Sequence, residues 1–173
     1  MPKFDESQAE CLVFTFKEGL LSKIAHDLKL RVTRFSVELT PASVRAEFDL
    51  HSLRVVTAMK DGKENPEALS DADKTKIADQ IAKEVLHADQ HPTAVFASRS
   101  LTRRADGGYS IVADLSLHGV TKSVLAESQT EGDRQVVSIE LHQPDYGITP
   151  FKAMMGTLKV KADVVVRSSV PSL

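Results

Sequence analysis

The sequence has a single cysteine, no tryptophan and few aromatic residues. Cys11 is the only cysteine in the 173 residues, so one chain can form neither an internal disulfide nor a thiolate metal cluster. Aromatic residues make up 5% of the chain. This composition excludes a disulfide-rich scaffold and fits a reducing compartment.

The chain also lacks an excess of charge of one sign. Its 22 basic and 24 acidic residues are interleaved, and the net charge is −2. Binding of nucleic acid through its phosphates needs a basic stripe, and the nearest candidate, Lys159, Lys161 and Arg167, has the spacing of the solvated face of a strand. We therefore expect no nucleic-acid partner.

Long apolar runs are missing as well. No stretch approaches the roughly 18 apolar residues that a membrane span requires, so we expect no integral membrane span. The first ten residues, 1–10, contain no apolar core of signal-peptide length. For a full-length chain this predicts a cytoplasmic protein, and the alternative is a recloned mature periplasmic domain with an added methionine.

Two segments alternate apolar and polar residues strictly. The first is Tyr109 to His118 and the second is Thr157 to Arg167. A period of two places alternate side chains on one face of a β-strand, so each segment has one dry and one wet face. The dry faces comprise Tyr109, Ile111, Ala113, Leu115 and Leu117 in the first segment, and Leu158, Val160, Ala162, Val164 and Val166 in the second.

Most of the remaining chain also has the pattern of strands, with one exception. A first strand is predicted over 11–16, a helical turn or irregular corner over 20–26, and hairpin turns at 106–108, 118–119 and 131–133. Between Thr57 and Gln90 the alternation stops, and a single amphipathic helix is predicted from Asp71 to His87. Ser70 and Asp73 have the spacing of a capping box at its start.

These elements predict one all-β domain over residues 1–173. We expect an antiparallel, lipocalin-like closed barrel of about eight strands (seven to nine) with one flanking helix. A closed sheet of this size either fills with side chains or leaves room for one small ligand. The pattern alone leaves both alternatives open.

Several motifs are similar to those of the YceI-like family. The matching stretches are 48–50 with 52–55, 91–98, 113–124, 145–148 and 155–160, which include FDL, HPTAVFAS and ADLSLHGVTKSV. This family comprises lipocalin-like barrels associated with isoprenoid and other amphiphilic lipids. The resemblance implies that the chain binds and shields a polyisoprenoid or another long-chain lipid in an apolar cavity, and carries out no chemistry on it.

The predicted ligand-binding residues fall into two groups. The cavity lining is predicted to comprise Phe48, Phe96, Ile111, Leu115, Leu117, Leu158, Val160 and Val164. A lid or mouth is predicted from Tyr146, Phe151, Met154 and Met155, because methionine adapts to irregular apolar shapes and tyrosine has a polar tip. An amphiphilic lipid is the expected partner, with a homodimer as a further candidate assembly.

Two other functions compete with lipid binding. One is a filled barrel that serves as a stress-related or partner-binding scaffold. The other is a hydrolase or isomerase that uses a histidine and a carboxylate at the barrel mouth, with His26 as the histidine to test. His26 with Asp27 is predicted either as a structural pair or as the polar end of a pocket that orients a phenol or phosphate head group. The six histidines lack the spacing of a metal site and no nucleophile motif is present, so we expect no metal, no cofactor and no catalytic residues. His118, in a tight turn, is expected to make a local hydrogen bond.

Overall fold

The computed structural model describes residues 2–18, 26–153 and 158–173. The predicted corner over 20–26 and the predicted lid residues Met154 and Met155 lie outside these residues, apart from His26. The described strands are β1 (Lys3–Asp5), β2 (Glu10–Thr15), β3 (Lys17–Glu18), β4 (Asp27–Val32), β5 (Phe35–Leu39), β6 (Val44–Asp49), β7 (Leu53–Lys60), β8 (Lys63–Asn65), β9 (Thr93–Arg103), β10 (Tyr109–Leu117), β11 (Val120–Glu131), β12 (Arg134–His142), β13 (Lys152–Ala153), β14 (Leu158–Val160) and β15 (Asp163–Pro171).

The fold is all-β and antiparallel, with one helix. In the described residues twelve strands form one curled sheet in the order β1-β5-β6-β9-β10-β11-β12-β15-β2-β4-β7-β8. A smaller sheet has the order β13-β14-β3. The structure therefore has more strands than the roughly eight that the alternation predicts, and several of these strands are short.

Two long strands bend at the same level, which explains part of this difference. Only residues 33–34 separate β4 from β5, and a short 3₁₀ turn, Leu50–Ser52, separates β6 from β7. β5 pairs with β6, and β4 pairs with β7. At the bend the Thr33 amide donates to the Ser52 carbonyl at 3.1 Å and the Asp49 amide donates to the Arg34 carbonyl at 3.0 Å. The β5–β6 pair lies near one end of the strand order and the β4–β7 pair lies near the other. Together they are the two halves of the same two bent strands.

The two strictly alternating segments have different outcomes. The predicted strand at Tyr109–His118 is confirmed as β10, with Ile111, Ala113 and Leu115 buried. The single strand predicted over Thr157–Arg167 is wrong, because the chain changes sheets near Lys161. β14 pairs with β3 in the small sheet, whereas β15 pairs with β12 and β2 in the large one.

The helix begins where it is predicted and ends earlier. Ser70 and Asp73 form the predicted capping box: the Ser70 hydroxyl accepts from the Asp73 amide at 3.1 Å, and the Asp73 carboxylate accepts from the Ser70 amide at 3.0 Å. The α-helix α1 covers Asp71–Gln80, and a π-helical turn follows at Ile81–Val85. His87 has a left-handed φ of 47°, which ends the helical segment. A single α-helix from Asp71 to His87 is therefore a wrong prediction.

Apolar side chains of the curled sheet and the helix form the core. Leu28 and Leu30 of β4, with Leu53 and Val55 of β7, belong to one buried cluster with Ala78 of α1. The apolar stripe of the helix thus packs onto the inner face of the sheet, as its spacing predicts. No helix among the described residues combines the length and apolar character needed to cross a membrane.

Candidate binding cavity

The concave side of the curled sheet encloses an open space. Its volume is about 380 Å³, which lies within the range of roughly 300–1,000 Å³ typical of small-molecule sites. The side chains that border it are mostly aliphatic, and none of the lining residues in the described part of the chain is an aspartate or a glutamate. The alternative of an interior filled by its own side chains does not match this geometry.

The structure brings most of the predicted ligand-binding residues together. All of those within the described residues border the cavity: Phe48, Phe96, Ile111, Leu115, Leu117, Tyr146, Phe151, Leu158, Val160 and Val164. Inward positions of β6, β9, β10 and β15 supply several of them because each strand alternates between the two faces of the sheet. Contact of these residues with a ligand stays a prediction.

Two further walls of the cavity are missing from that predicted set. One consists of inward residues of β2 and β4, including Val13, Leu28 and Leu30, and the other consists of helix residues Ile77 and Ile81. The alternation over β4 and the apolar stripe of the helix were both visible in the sequence. What the sequence did not show was that these elements face the same space.

Three of the polar lining residues, Thr15, His26 and Lys159, lie toward one end of the cavity. Thr15 is paired in register with Leu28, and His26 is two residues before Leu28 in the chain. The small sheet lies just beyond Thr15, since Lys17 of β3 pairs with Val160 of β14. Thr15, His26 and Lys159 therefore border the cavity where the helix and the small sheet cover it.

The opposite end of the cavity is closed by a polar residue whose bonds are all made within the protein. The Gln135 side-chain NH₂ donates to the Thr130 hydroxyl at 2.8 Å and to the Gly107 carbonyl at 3.3 Å. Its side-chain oxygen accepts from the Ser128 hydroxyl at 2.7 Å. Both amide hydrogens of Gln135 are therefore engaged within the protein.

The one cysteine is not a nucleophile in this environment. Cys11 borders the cavity, and burial raises the pKa of its thiol to about 11. Only the thiolate reacts as a nucleophile, so the thiol is inert near neutral pH. In the predicted pair of His26 and Asp27, an Asp27 carboxylate oxygen accepts from the Lys17 amide at 2.7 Å, which gives this carboxylate a structural partner.

His118 meets two histidines of a distant segment, His87 and His91, beside the cavity. His87 Nδ1 lies 3.0 Å from His118 Nε2, and the His91 and His118 ring centroids are 4.6 Å apart. His118 Nδ1 donates to the Tyr146 carbonyl oxygen at 3.1 Å, and 28 positions separate the two residues. The prediction of a local hydrogen bond within the turn is therefore wrong, because the imidazole bonds to distant parts of the chain instead. The sequence gives no sign of the contact with His87, because 31 positions separate the two residues.

This arrangement has an electrostatic consequence but forms no recognisable metal centre. Burial lowers the pKa of His118 below its usual 6.5, and His91 and His87 lower it further, against the effect of the hydrogen bond to Tyr146. Within residues 2–18, 26–153 and 158–173, no three histidine, cysteine, aspartate or glutamate side chains are placed to hold a metal ion.

A family model and several solved structures match the chain. The model of the YceI-like domain matches residues 4–170. The chain belongs to the YceI-like family. No curated protein matches it in sequence.

Solved structures with low sequence identity share this YceI-like fold. BcnA of Burkholderia cenocepacia has 16% identity and a TM-score of 0.67, with 95% of this chain and 96% of that chain covered. A polyisoprenoid binding domain from Saccharophagus degradans, implicated in plant cell wall breakdown, has 13% identity and a TM-score of 0.61, with 93% and 91% covered. The Campylobacter jejuni YCEI protein has 11% identity and a TM-score of 0.57, with 84% of each chain covered.

Proposed function

We propose that this YceI-like protein binds and shields an amphiphilic lipid, such as a polyisoprenoid, in its apolar cavity and leaves it chemically unchanged. The observation that carries the proposal is the open space of about 380 Å³ with its largely aliphatic lining. The family membership supports it, as does the structural neighbour described as a polyisoprenoid binding domain.

The energetics of the lining favour a chain-like guest. Each methylene transferred from water into an apolar environment contributes about 0.8 kcal/mol, so several buried carbons offset the entropy lost on binding. No specific polar contact is needed for the tail. The absence of carboxylates from the lining in the described residues also means that no buried acid would oppose an apolar chain.

We also infer that the curled sheet closes around the guest. If β4 with β5 and β6 with β7 each count as one bent strand, the pairing order returns to its starting point through eight long strands. β1 and β8 then lie outside this ring, paired with β5 and β7 respectively. An eight-strand ring has the diameter at which an interior holds one small ligand.

The proposed shielding without catalysis rests on the state of the candidate reactive groups. The Cys11 thiol is held neutral by burial, and Asp27 is hydrogen-bonded to the backbone of Lys17. An acid–base pair would need to reach the guest in a defined geometry. We therefore favour binding over hydrolysis or isomerisation.

Replacement of Leu117 by lysine tests the site. Leu117 is half-buried and borders the cavity, and an ammonium group that entered the cavity there would have no counter-ion among the lining residues. We expect wild-type protein purified from cells to retain a lipid adduct in native mass spectrometry. Leu117→Lys should lose this adduct and should not bind added geranylgeraniol.

The matched control is Leu125→Lys, because Leu125 is 79% exposed on the neighbouring strand β11. It should retain the lipid, and circular dichroism should show both variants folded. Val160→Asp is a second lining variant with the same expected loss if Leu117→Lys does not fold. Retention of lipid by a folded lining variant would contradict the proposed site.

A further inference from the structure

Hydrogen bonds between three strands hold the Gln135 end of the cavity closed. The Ser128 hydroxyl, which donates to the Gln135 side chain, also accepts from the Tyr109 amide at 2.9 Å. The Arg104 guanidinium donates to the Ser128 carbonyl at 2.6 Å and to the Tyr109 carbonyl at 2.7 Å. A Cβ atom at Gly108 would overlap the Ser128 carbonyl oxygen, so the backbone is closely packed here. We call this end the floor of the cavity.

Valine side chains complete the floor around Gln135. Val170 of β15 is the register partner of Gln135 and borders the cavity. It packs against the buried cluster that includes Ala9, which lies directly before β2. Val137 borders the cavity at the next inward position of β12. A chain that reaches the floor therefore meets the methyl groups of these two valines.

The distance from the floor to the covered end limits the length of chain that the cavity can bury. Every second residue of one segment borders the cavity: Gln135, Val137, Ile139, Leu141 and Gln143. At a rise of about 3.3 Å per residue, this segment spans about 26 Å. Because the strands of an eight-strand barrel tilt by about 40° from its axis, the depth along the axis is about 20 Å. An extended chain advances about 1.2 Å per bond, so about 16 linked atoms fill this depth.

We propose that the floor sets the length of the guest, that the cavity buries a single extended chain of about 16 linked atoms, and that Val170 determines this limit. The inference rests on the proposed lipid-binding function. Atoms beyond this length find no apolar wall and add nothing to the affinity. A geranylgeranyl chain has this length, whereas longer polyprenyl chains exceed it.

The test uses unbranched primary alcohols, because their length changes in small steps while the head group stays the same. The ligands are dodecanol, hexadecanol and octadecanol, and their affinities are measured by displacement of bound anilinonaphthalene sulfonate. Val170→Phe fills space at the floor, and Val170→Ala enlarges it. Leu125→Phe is the control, because Leu125 is 79% exposed on β11. Each alcohol is compared between proteins, so its aggregation in water cancels.

We expect Val170→Phe to weaken hexadecanol binding about fifteenfold, the equivalent of about two methylenes displaced from the cavity, and dodecanol binding less than about twofold. Relative to wild type, Val170→Ala should favour octadecanol over hexadecanol about fourfold, since the deeper floor admits about one more methylene. Leu125→Phe should change none of the affinities. If Val170→Phe does not fold, the preference of Val170→Ala decides alone.

Several results would overturn the inference while lipid binding itself stands. Equal weakening of dodecanol and hexadecanol in Val170→Phe would assign Val170 to the wall and not to the length limit. Unchanged affinities for both alcohols in this variant would show that the bound chain ends before the floor. The same preference between octadecanol and hexadecanol in Val170→Ala and in wild type would also contradict the limit. If folded wild-type protein binds none of these alcohols, the proposed lipid-binding function fails, and the length limit fails with it.

Discussion

At the scale of single residues, His118 joins three parts of the chain through one imidazole ring. Its Nδ1–H donates to the Tyr146 carbonyl oxygen, so in the neutral ring Nε2 is left to accept from His87 Nδ1–H. Leu86 and Leu117, the residues before His87 and His118, border the cavity, and so does Tyr146. The ring therefore fixes the end of the helical segment against the wall of the cavity.

The lowered pKa of His118 predicts a loss of stability on acidification. The unfolded chain binds a proton at His118 near pH 6.5, whereas the folded chain does so only at lower pH. Between these two pKa values the unfolded state holds more protons, so the free energy of unfolding falls as the pH drops below about 6.5. His118→Asn should reduce this loss, because asparagine does not titrate and tolerates the left-handed φ of 55° at this position.

Urea unfolding at about pH 7.5 and about pH 5.5 measures the effect. His142→Asn is the control with the opposite sign: the hydrogen bond to Asp163 raises the pKa of His142, so its contribution to stability is present at low pH and lost as the pH rises through the folded pKa. The His118→Asn variant should show a smaller difference between the two pH values than wild type. An identical difference would contradict the prediction.

At the scale of elements, the start of the helix was predictable and its end was not. The capping box depends on Ser70 and Asp73, which are near each other in sequence, and the spacing alone predicts it. The end depends on a π-helical turn, in which the Leu86 amide donates to the Ile81 carbonyl at 2.9 Å, and on the contact of His87 with His118. These are determined by the packing of the helix on the sheet, which no local pattern contains.

The same distinction applies to the strands. β10 is visible in the sequence because its two faces differ in polarity along its full length. The boundary between β14 and β15 is not visible, because the alternation continues through Ala162 while the backbone changes partners. The Lys161 amide donates to the Phe16 carbonyl, and the Ala162 carbonyl accepts from the Gln143 amide. Partner exchange is a property of the assembled sheets.

Removal of the capping box provides the test at this scale. Ser70→Ala removes the acceptor for the Asp73 amide, and loss of such a cap costs about 1 kcal/mol of stability. Asp73→Ala removes the reciprocal bond, and the double variant should cost less than the two single changes together because the two bonds support each other. Chemical denaturation of the four proteins measures the coupling. Additive losses would show that the two bonds act independently.

At the scale of the whole molecule, alternation predicted the aliphatic lining, while the polar features required the assembled fold. Leu115 and Val164 could be assigned to a cavity because every inward residue of a strongly curled sheet faces the same space. The Thr15 hydroxyl oxygen is buried and has no hydrogen-bond partner, and this could not be predicted because it depends on every neighbour that fails to reach it. The contact between His87 and His118 was equally out of reach.

The bend shared by the two long strands is where the proposed ring would close. The buried Ser52 hydroxyl accepts from the Arg34 amide at 2.9 Å and donates to the Asp49 carbonyl at 2.7 Å. Arg34 follows β4, and Asp49 is the last residue of β6. One side chain thus connects the two strands at their bend.

Ser52→Ala should therefore destabilise the whole molecule by about 1–3 kcal/mol, since it leaves the Arg34 amide without its acceptor. In a closed ring no strand pair can separate alone, so amides of β5 and of β4 should exchange with solvent through one common opening. Native-state hydrogen exchange should show equal opening free energies for the two strands in wild type, and an equal decrease in both in Ser52→Ala. Ser43→Ala, at the exposed turn between β5 and β6, should change stability by less than about 0.5 kcal/mol. A lower opening free energy for β5 than for β4 would contradict this, because it would show that the sheet has a free edge at β5. The cavity would then open along its side instead of at its covered end.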